Sequence, residues 1–245
     1  MIRLFINNMK YLYVNGCSMS DGTCLVDDPT VDDIGYDIRW SKLLSDKLGV
    51  KEINEGEHGG SNDRIVRMTI DWCVNNKDKL TDTIFVMCWT CPDRFEIWSE
   101  YYKRYIQIST GSTTHDDVDL DIANKLVKSF IINHFNLSER IKKHFVNNVI
   151  FLQSFFKSNN IKYIFCDGEP VIDNLVGKYK KYKFFIDGEN WWNYNDEINC
   201  FDKIARELNS FGIDWTPEDN HGHPGKKAHK DFADKLYKFI EQRVI

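Results

Sequence analysis

The residues best suited to chemistry gather in three short stretches that lie far apart in the chain. The first is Gly16-Cys17-Ser18-Met19-Ser20-Asp21-Gly22, directly after the apolar run Tyr11–Asn15. A serine on a glycine turn at the end of a buried strand projects its hydroxyl from the sheet edge. Its backbone N–H is then free to face a developing oxyanion. The same residues also suit a plain strand-to-helix turn in which Ser18 or Ser20 caps the helix. The second stretch runs from Asn54 to Asp63 and holds His58, Gly59, Gly60, Ser61 and Asn62. Adjacent glycines let backbone N–H groups approach a ligand closely, and the Asn62 amide adds a neutral donor beside them. An ordinary glycine turn before a capped helix fits as well.

The third stretch is Glu218-Asp219-Asn220-His221-Gly222-His223-Pro224-Gly225, with His229 about one turn further on. A histidine near a carboxylate, in a loop that opens a helix, suits a general base whose tautomer the acid fixes. A metal-binding His-x-His pair and a surface turn rich in Gly and Pro are the alternatives. No third ligand set stands at a spacing that points to zinc. Nucleophile, oxyanion donors and base thus fall, in that order, in three separate loops.

Those loops need a scaffold. Tyr11–Asn15, Val50–Asn54, Thr83–Trp89 and Ile161–Cys166 are short apolar runs of strand length, and Phe184–Ile186 is a candidate for one more. Thr83–Trp89 is apolar almost throughout, as a central parallel strand covered on both faces should be. Helical spacing of apolar residues marks Tyr36–Leu48, Ser61–Val74 with Ser61 as N-cap, Asn136–Ser158 and Gly225–Glu241. Alternation of strands with helices predicts an α/β fold with a mainly parallel sheet between helix layers. Ligands of such sheets bind beyond the carboxyl ends of the strands, where all three stretches fall. The expected organisation is one domain over residues 1–245, with loop insertions near 99–121 and 187–197. Trp191, Trp192 and Tyr194 could stack on a sugar, although such a cluster more often packs a core.

Composition narrows the partners. The 245 residues carry a formal net charge of −5 with both signs interleaved. That pattern lacks the basic stripe that neutralises phosphates, so nucleic acid is not an expected partner. Asn7, Asn8 and Lys10 interrupt the apolar N-terminal run, so neither a signal peptide nor a membrane span is expected. Seven scattered cysteines suit a reducing, cytoplasmic setting, and a lone Cys88-x-x-Cys91 is weak evidence for metal. Oligomeric state cannot be read from these residues.

In these stretches the chain resembles the SGNH (GDSL-like) hydrolases. Gly16-Cys17-Ser18 resembles the block that holds the nucleophile, and Asn54–Asn62 the block whose glycine (Gly60, or Gly59) gives an oxyanion N–H. Asp219–His229 resembles the block that holds the acid and base, with His223-Pro224 opening the last helix. The resemblance implies a three-layer α/β/α, flavodoxin-like sandwich and a serine esterase that needs no metal or cofactor. Ser18 would be the nucleophile, His223 the base and Asp219 its orienting acid, with His221 as alternative base and Gly60 and Asn62 as oxyanion donors. The implied substrate is an ester, for example an O-acetyl group on a carbohydrate. Two departures stand out. The family's Gly-x-Asn-Asp after the third strand is replaced by Trp89-Thr90-Cys91-Pro92-Asp93-Arg94, so Asn62 or Thr90 would have to stand in for that asparagine. The usual acid-to-histidine spacing of three from His223 lands on Asn220, leaving Asp219 to reach from further back. The Trp-Thr-x-Pro-x-Arg segment is similar to that of divergent phage-encoded members, which would place the protein in the host cytoplasm. Two other readings are a degenerate SGNH domain that binds a ligand or partner without turning it over, and a metal-dependent hydrolase built on His221 and His223.

Overall fold

The computed structural model describes residues 9–23, 25, 37–108, 137–169, 180–194, 200–212, 214 and 222–243. β1 (Tyr11–Asn15) passes through Gly16 into α1 (Ser18–Asp21), a single helical turn. α2 (Trp40–Leu48), β2 (Lys51–Asn54), α3 (Asn62–Asn75) and β3 (Thr83–Trp89) follow. Next come a hairpin of β4 (Phe95–Ser99) and β5 (Arg104–Ile108), the long α4 (Leu137–Ser158) and β6 (Lys162–Asp167). α5 (Phe201–Glu207) and α6 (Lys226–Glu241) complete the described chain.

β2, β1, β3 and β6 pair in that order as a parallel sheet. Because side chains alternate across a strand, each strand feeds both faces. Leu12, Val14, Ile84, Val86, Cys88, Ile164 and Cys166 point to one face, where Trp40 and Leu44 of α2, Phe201 of α5 and Phe232 of α6 cover them. Tyr13, Phe85, Met87, Trp89, Tyr163 and Phe165 point to the other, under Ile65 of α3 and Phe145, Val149 and Phe156 of α4. The result is the expected three-layer α/β/α sandwich with a parallel sheet. Every residue of β3 is buried, as its apolar run requires.

Four elements differ from the sequence-based expectation. Phe184 and Phe185 belong to a 3-10 helix (Lys180–Phe185) instead of a strand, with both rings exposed. The second helix begins at Trp40 and not at Tyr36, which lies outside the described residues. The segment expected as a loop from residue 99 contributes the β4–β5 hairpin, in which Trp98 and Tyr105 pair across the strands; residues 109–136 lie outside the described residues. In the region near 187–197, Trp191 and Trp192 are buried in the two cores, so these rings pack and do not line an open sugar site.

Candidate active site

Ser18 emerges where β1 gives way to α1, at the carboxyl end of the sheet, and is only 4% exposed. Gly16 makes this turn feasible. A Cβ there would overlap the Ser20 hydroxyl and come within 3.0 Å of the Cys88 carbonyl oxygen, so no larger residue fits. Asn15 fixes the end of β1 from beneath. Its amide donates to the Ile65 carbonyl and to Thr69 Oγ1, while its oxygen accepts the Gly16 N–H at 2.9 Å.

His223 reaches this serine from the opposite end of the chain. After α5, residues 210–212 run antiparallel to residues 223–225. Phe211 bridges Pro224, Gly212 N–H donates to the His223 carbonyl at 2.7 Å, and Gly225 N–H donates to the Ser210 carbonyl at 2.8 Å. The strap holds His223 Nε2 2.7 Å from Ser18 Oγ. The other ring nitrogen, Nδ1, lies 2.5 Å from Asp214 Oδ2, and the His223 backbone N–H donates to the same carboxylate. Burial would raise the Asp214 carboxyl, but the two hydrogen bonds from His223 outweigh it and hold it below the ordinary carboxylate range. An ionised carboxylate on Nδ1 keeps the proton there and leaves Nε2 as an acceptor facing the serine.

The carboxylate on His223 is therefore Asp214, nine residues before it. Asp219 and His221, expected as acid and alternative base, lie outside the described residues. Asp214 escaped sequence reading because its nearness to His223 comes from the antiparallel strap, not from spacing. The only available hint was a carboxylate in the loop between the last two helices.

The expected oxyanion donors are engaged elsewhere. Gly60 N–H closes a turn onto the Glu57 carbonyl at 2.9 Å. A Cβ on Gly60 would sit 3.1 Å from the Gly16 carbonyl oxygen, so this glycine serves the close approach of the two loops. Asn62, 2% exposed, donates through its amide to the Thr90 carbonyl at 2.9 Å and accepts the Thr90 N–H at 3.1 Å. Its neighbour Ser61 caps α3 by accepting the Arg64 N–H, as expected. His58, in the same loop, places its ring 6.0 Å from the His223 ring. Asp21 lies near both histidines, and burial pushes its carboxyl up.

Cys88 is buried within β3, burial pushes the Cys91 thiol up, and among the described residues no group of three His, Cys, Asp or Glu could hold an ion. Among the described residues no helix is long and apolar enough to cross a membrane.

Comparison with solved structures agrees with the fold. A structure described as a GDSL-like lipase from Parabacteroides merdae is 11% identical, superposes with a TM-score of 0.50 and covers 96% of both chains. A member of the lipolytic G-D-S-L family from Veillonella parvula is 14% identical, with a TM-score of 0.48, covering 94% of this chain and 97% of that one. The psychrotrophic esterase EstA from Pseudoalteromonas is 13% identical, with a TM-score of 0.46, covering 95% and 97%. At 11% identity the first of these speaks for the fold alone. No curated protein matches the chain. A family model described as "Family of unknown function (DUF6071)" matches residues 22–243, nearly the whole length, and the chain belongs to that family.

Proposed function

We propose that the protein is a serine ester hydrolase of SGNH type. The observation that carries this reading is the chain of contacts from Ser18 Oγ through the His223 ring to the Asp214 carboxylate, at 2.7 and 2.5 Å. In it, Ser18 Oγ attacks an ester carbonyl carbon while its proton passes to His223 Nε2. The carbonyl electron pair moves onto oxygen and returns to expel the alkoxide, which takes the proton from His223. Water then repeats the sequence on the acyl-serine and releases a free acid. Asp214 holds the Nδ1 proton and stabilises the charged ring throughout. Ser18 N–H, at the unpaired start of α1, is one donor to the oxyanion. A short acyl ester of a small molecule or carbohydrate is the substrate class, and neither a metal nor an organic cofactor takes part. The likeness of Trp89–Arg94 to phage-encoded members and a cytoplasmic setting belong to the same reading.

The test is hydrolysis of a short-chain chromogenic ester, with and without chelator, by the wild type and by Ser18→Ala. A serine esterase loses turnover by about a million-fold in the variant and ignores the chelator. Equal activity in both proteins, or loss with chelator alone, would overturn the proposal. The engagement of Asn62 and Gly60 favours a second reading, a domain that binds its ligand without turning it over. Absence of both turnover and fluorophosphonate labelling of Ser18, with ligand binding that survives Ser18→Ala, would establish it.

A further inference from the structure

With Asn62 and Gly60 engaged, a serine hydrolase of this build needs another source of positive charge beside Ser18. Arg94 stands there. β1 and β3 run in parallel register up to Asn15 and Met87, so the chain leaving β3 passes alongside the turn that carries the serine. Gly16 packs against the Cys88 carbonyl, and the first residue beyond β3 is Thr90, fully buried and gripped on both its N–H and its carbonyl by Asn62. Arg94 folds back onto this fixed point, its Nη1 donating to Thr90 Oγ1 at 3.0 Å. Its Nη2 meets Glu169 Oε1 at 3.3 Å, just past β6.

Gly168, the neighbour of Glu169, borders Met19 of α1, which brings this pair to the nucleophile's side of the sheet. The Cys17 thiol, next to Ser18, is pushed up by burial, with the Arg94 guanidinium opposing. A guanidinium carries five N–H donors in a rigid fork. Two are engaged among the described residues, and the side chain is 23% exposed.

We propose that Arg94, held by Thr90 and Glu169, donates to the oxyanion in place of a neutral side-chain amide. This rests on the serine-hydrolase reading. As Ser18 Oγ bonds to the carbonyl carbon and its proton moves to His223, the electron pair arriving on the carbonyl oxygen meets a cation whose geometry is already set. Glu169 offsets the charge in the resting site, so the ground-state ester gains little from Arg94 and the effect falls on kcat.

The experiment measures kcat and KM for a short-chain ester, the rate of fluorophosphonate labelling at Ser18 and the melting temperature, in wild type, Arg94→Met, Arg94→Lys and Thr90→Val. Arg94→Met is expected to lower kcat about 100- to 1,000-fold and to slow labelling in proportion, with KM within about threefold. Arg94→Lys should recover about tenfold of the loss, and Thr90→Val should lower kcat about tenfold. A folded Arg94→Met that keeps kcat within about threefold, or changes KM alone, overturns the proposal while leaving the serine reading intact. If Arg94→Met does not fold, Thr90→Val decides, and an unchanged kcat in it overturns the proposal. A wild type that neither turns over ester nor labels at Ser18 removes the serine reading and this one with it.

Discussion

His223 and His229 stand six residues apart, and the fold treats them in opposite ways. His223 lies in the turn before α6, one ring nitrogen on Ser18 and the other on Asp214, with its side chain 21% exposed. His229, in the first turn of α6, is buried, its Nδ1 accepting the Trp40 N–H at 2.9 Å and its ring edge-on to Phe201. It thereby satisfies an orphan donor at the start of α2 across 189 residues of chain. Burial drives His229 down to about 3, with a backbone hydrogen bond at Pro224 opposing, so it is neutral at any ordinary pH. In the proposed reaction one ring moves a proton, while the other refuses one. Residue type did not decide this; a carboxylate on the far nitrogen and a serine hydroxyl on the near one did.

The contrast breaks first at His223. His223→Gln should lower ester turnover by at least about 10,000-fold and leave the melting temperature nearly unchanged. Comparable losses in both would put His223 with the structural histidines. Asp214→Asn comes next, with turnover falling by about 100- to 10,000-fold because an amide no longer selects the Nδ1–H tautomer. Since the Asp214 carboxyl is held below its usual 3.8, its contribution to stability is present above that pH and lost as pH falls through the lowered value. Acid titration of Asp214→Asn by circular dichroism should lack that component.

His229→Leu sharpens the comparison from the other side. In the wild type, the unfolded chain takes up a proton below about 6.5 that the folded chain refuses until about 3. Stability should therefore decline over that window by a few kcal/mol. The leucine variant should show a flatter acid profile, begin about 1–3 kcal/mol less stable at neutral pH because the Trp40 N–H loses its acceptor, and keep its turnover. Equal pH profiles for variant and wild type would show that His229 does not set this limb.

The scaffold could be read from sequence because burial writes itself into periodicity. The unbroken run Thr83–Trp89 could only be a covered strand, and the stripe Phe145, Val149, Leu152, Phe156 only a helix against a sheet. Ser18 and His223, which the fold brings within 2.7 Å, drew notice in the sequence because each sits at the seam between elements, where a glycine or proline interrupts the pattern. Asp214 was not, since the bridge between Phe211 and Pro224 that delivers it is a tertiary contact with no local signature. The Thr90 partners of Asn62 were hidden for a related reason. Its type and position suit an oxyanion donor, but whether an amide faces substrate or backbone depends on what lies opposite it in space. The β4–β5 hairpin was hidden because its outward face is aromatic and polar, with Trp98 and Tyr105 exposed, so it lacks the alternation of a half-buried strand.

Asn62 has one more consequence. By donating to the Thr90 carbonyl and accepting the Thr90 N–H, its side chain imitates a peptide unit and adds one rung to the ladder after the sheet's own backbone has turned away. The segment leading to Arg94 thus starts from a point as firmly anchored as a strand, without being one. Aspartate in this place would mimic only half of a peptide and set its charge against the Thr90 carbonyl. A single such exchange would loosen the contacts that join Thr90, Arg94 and Glu169 with every residue of the sheet still in place.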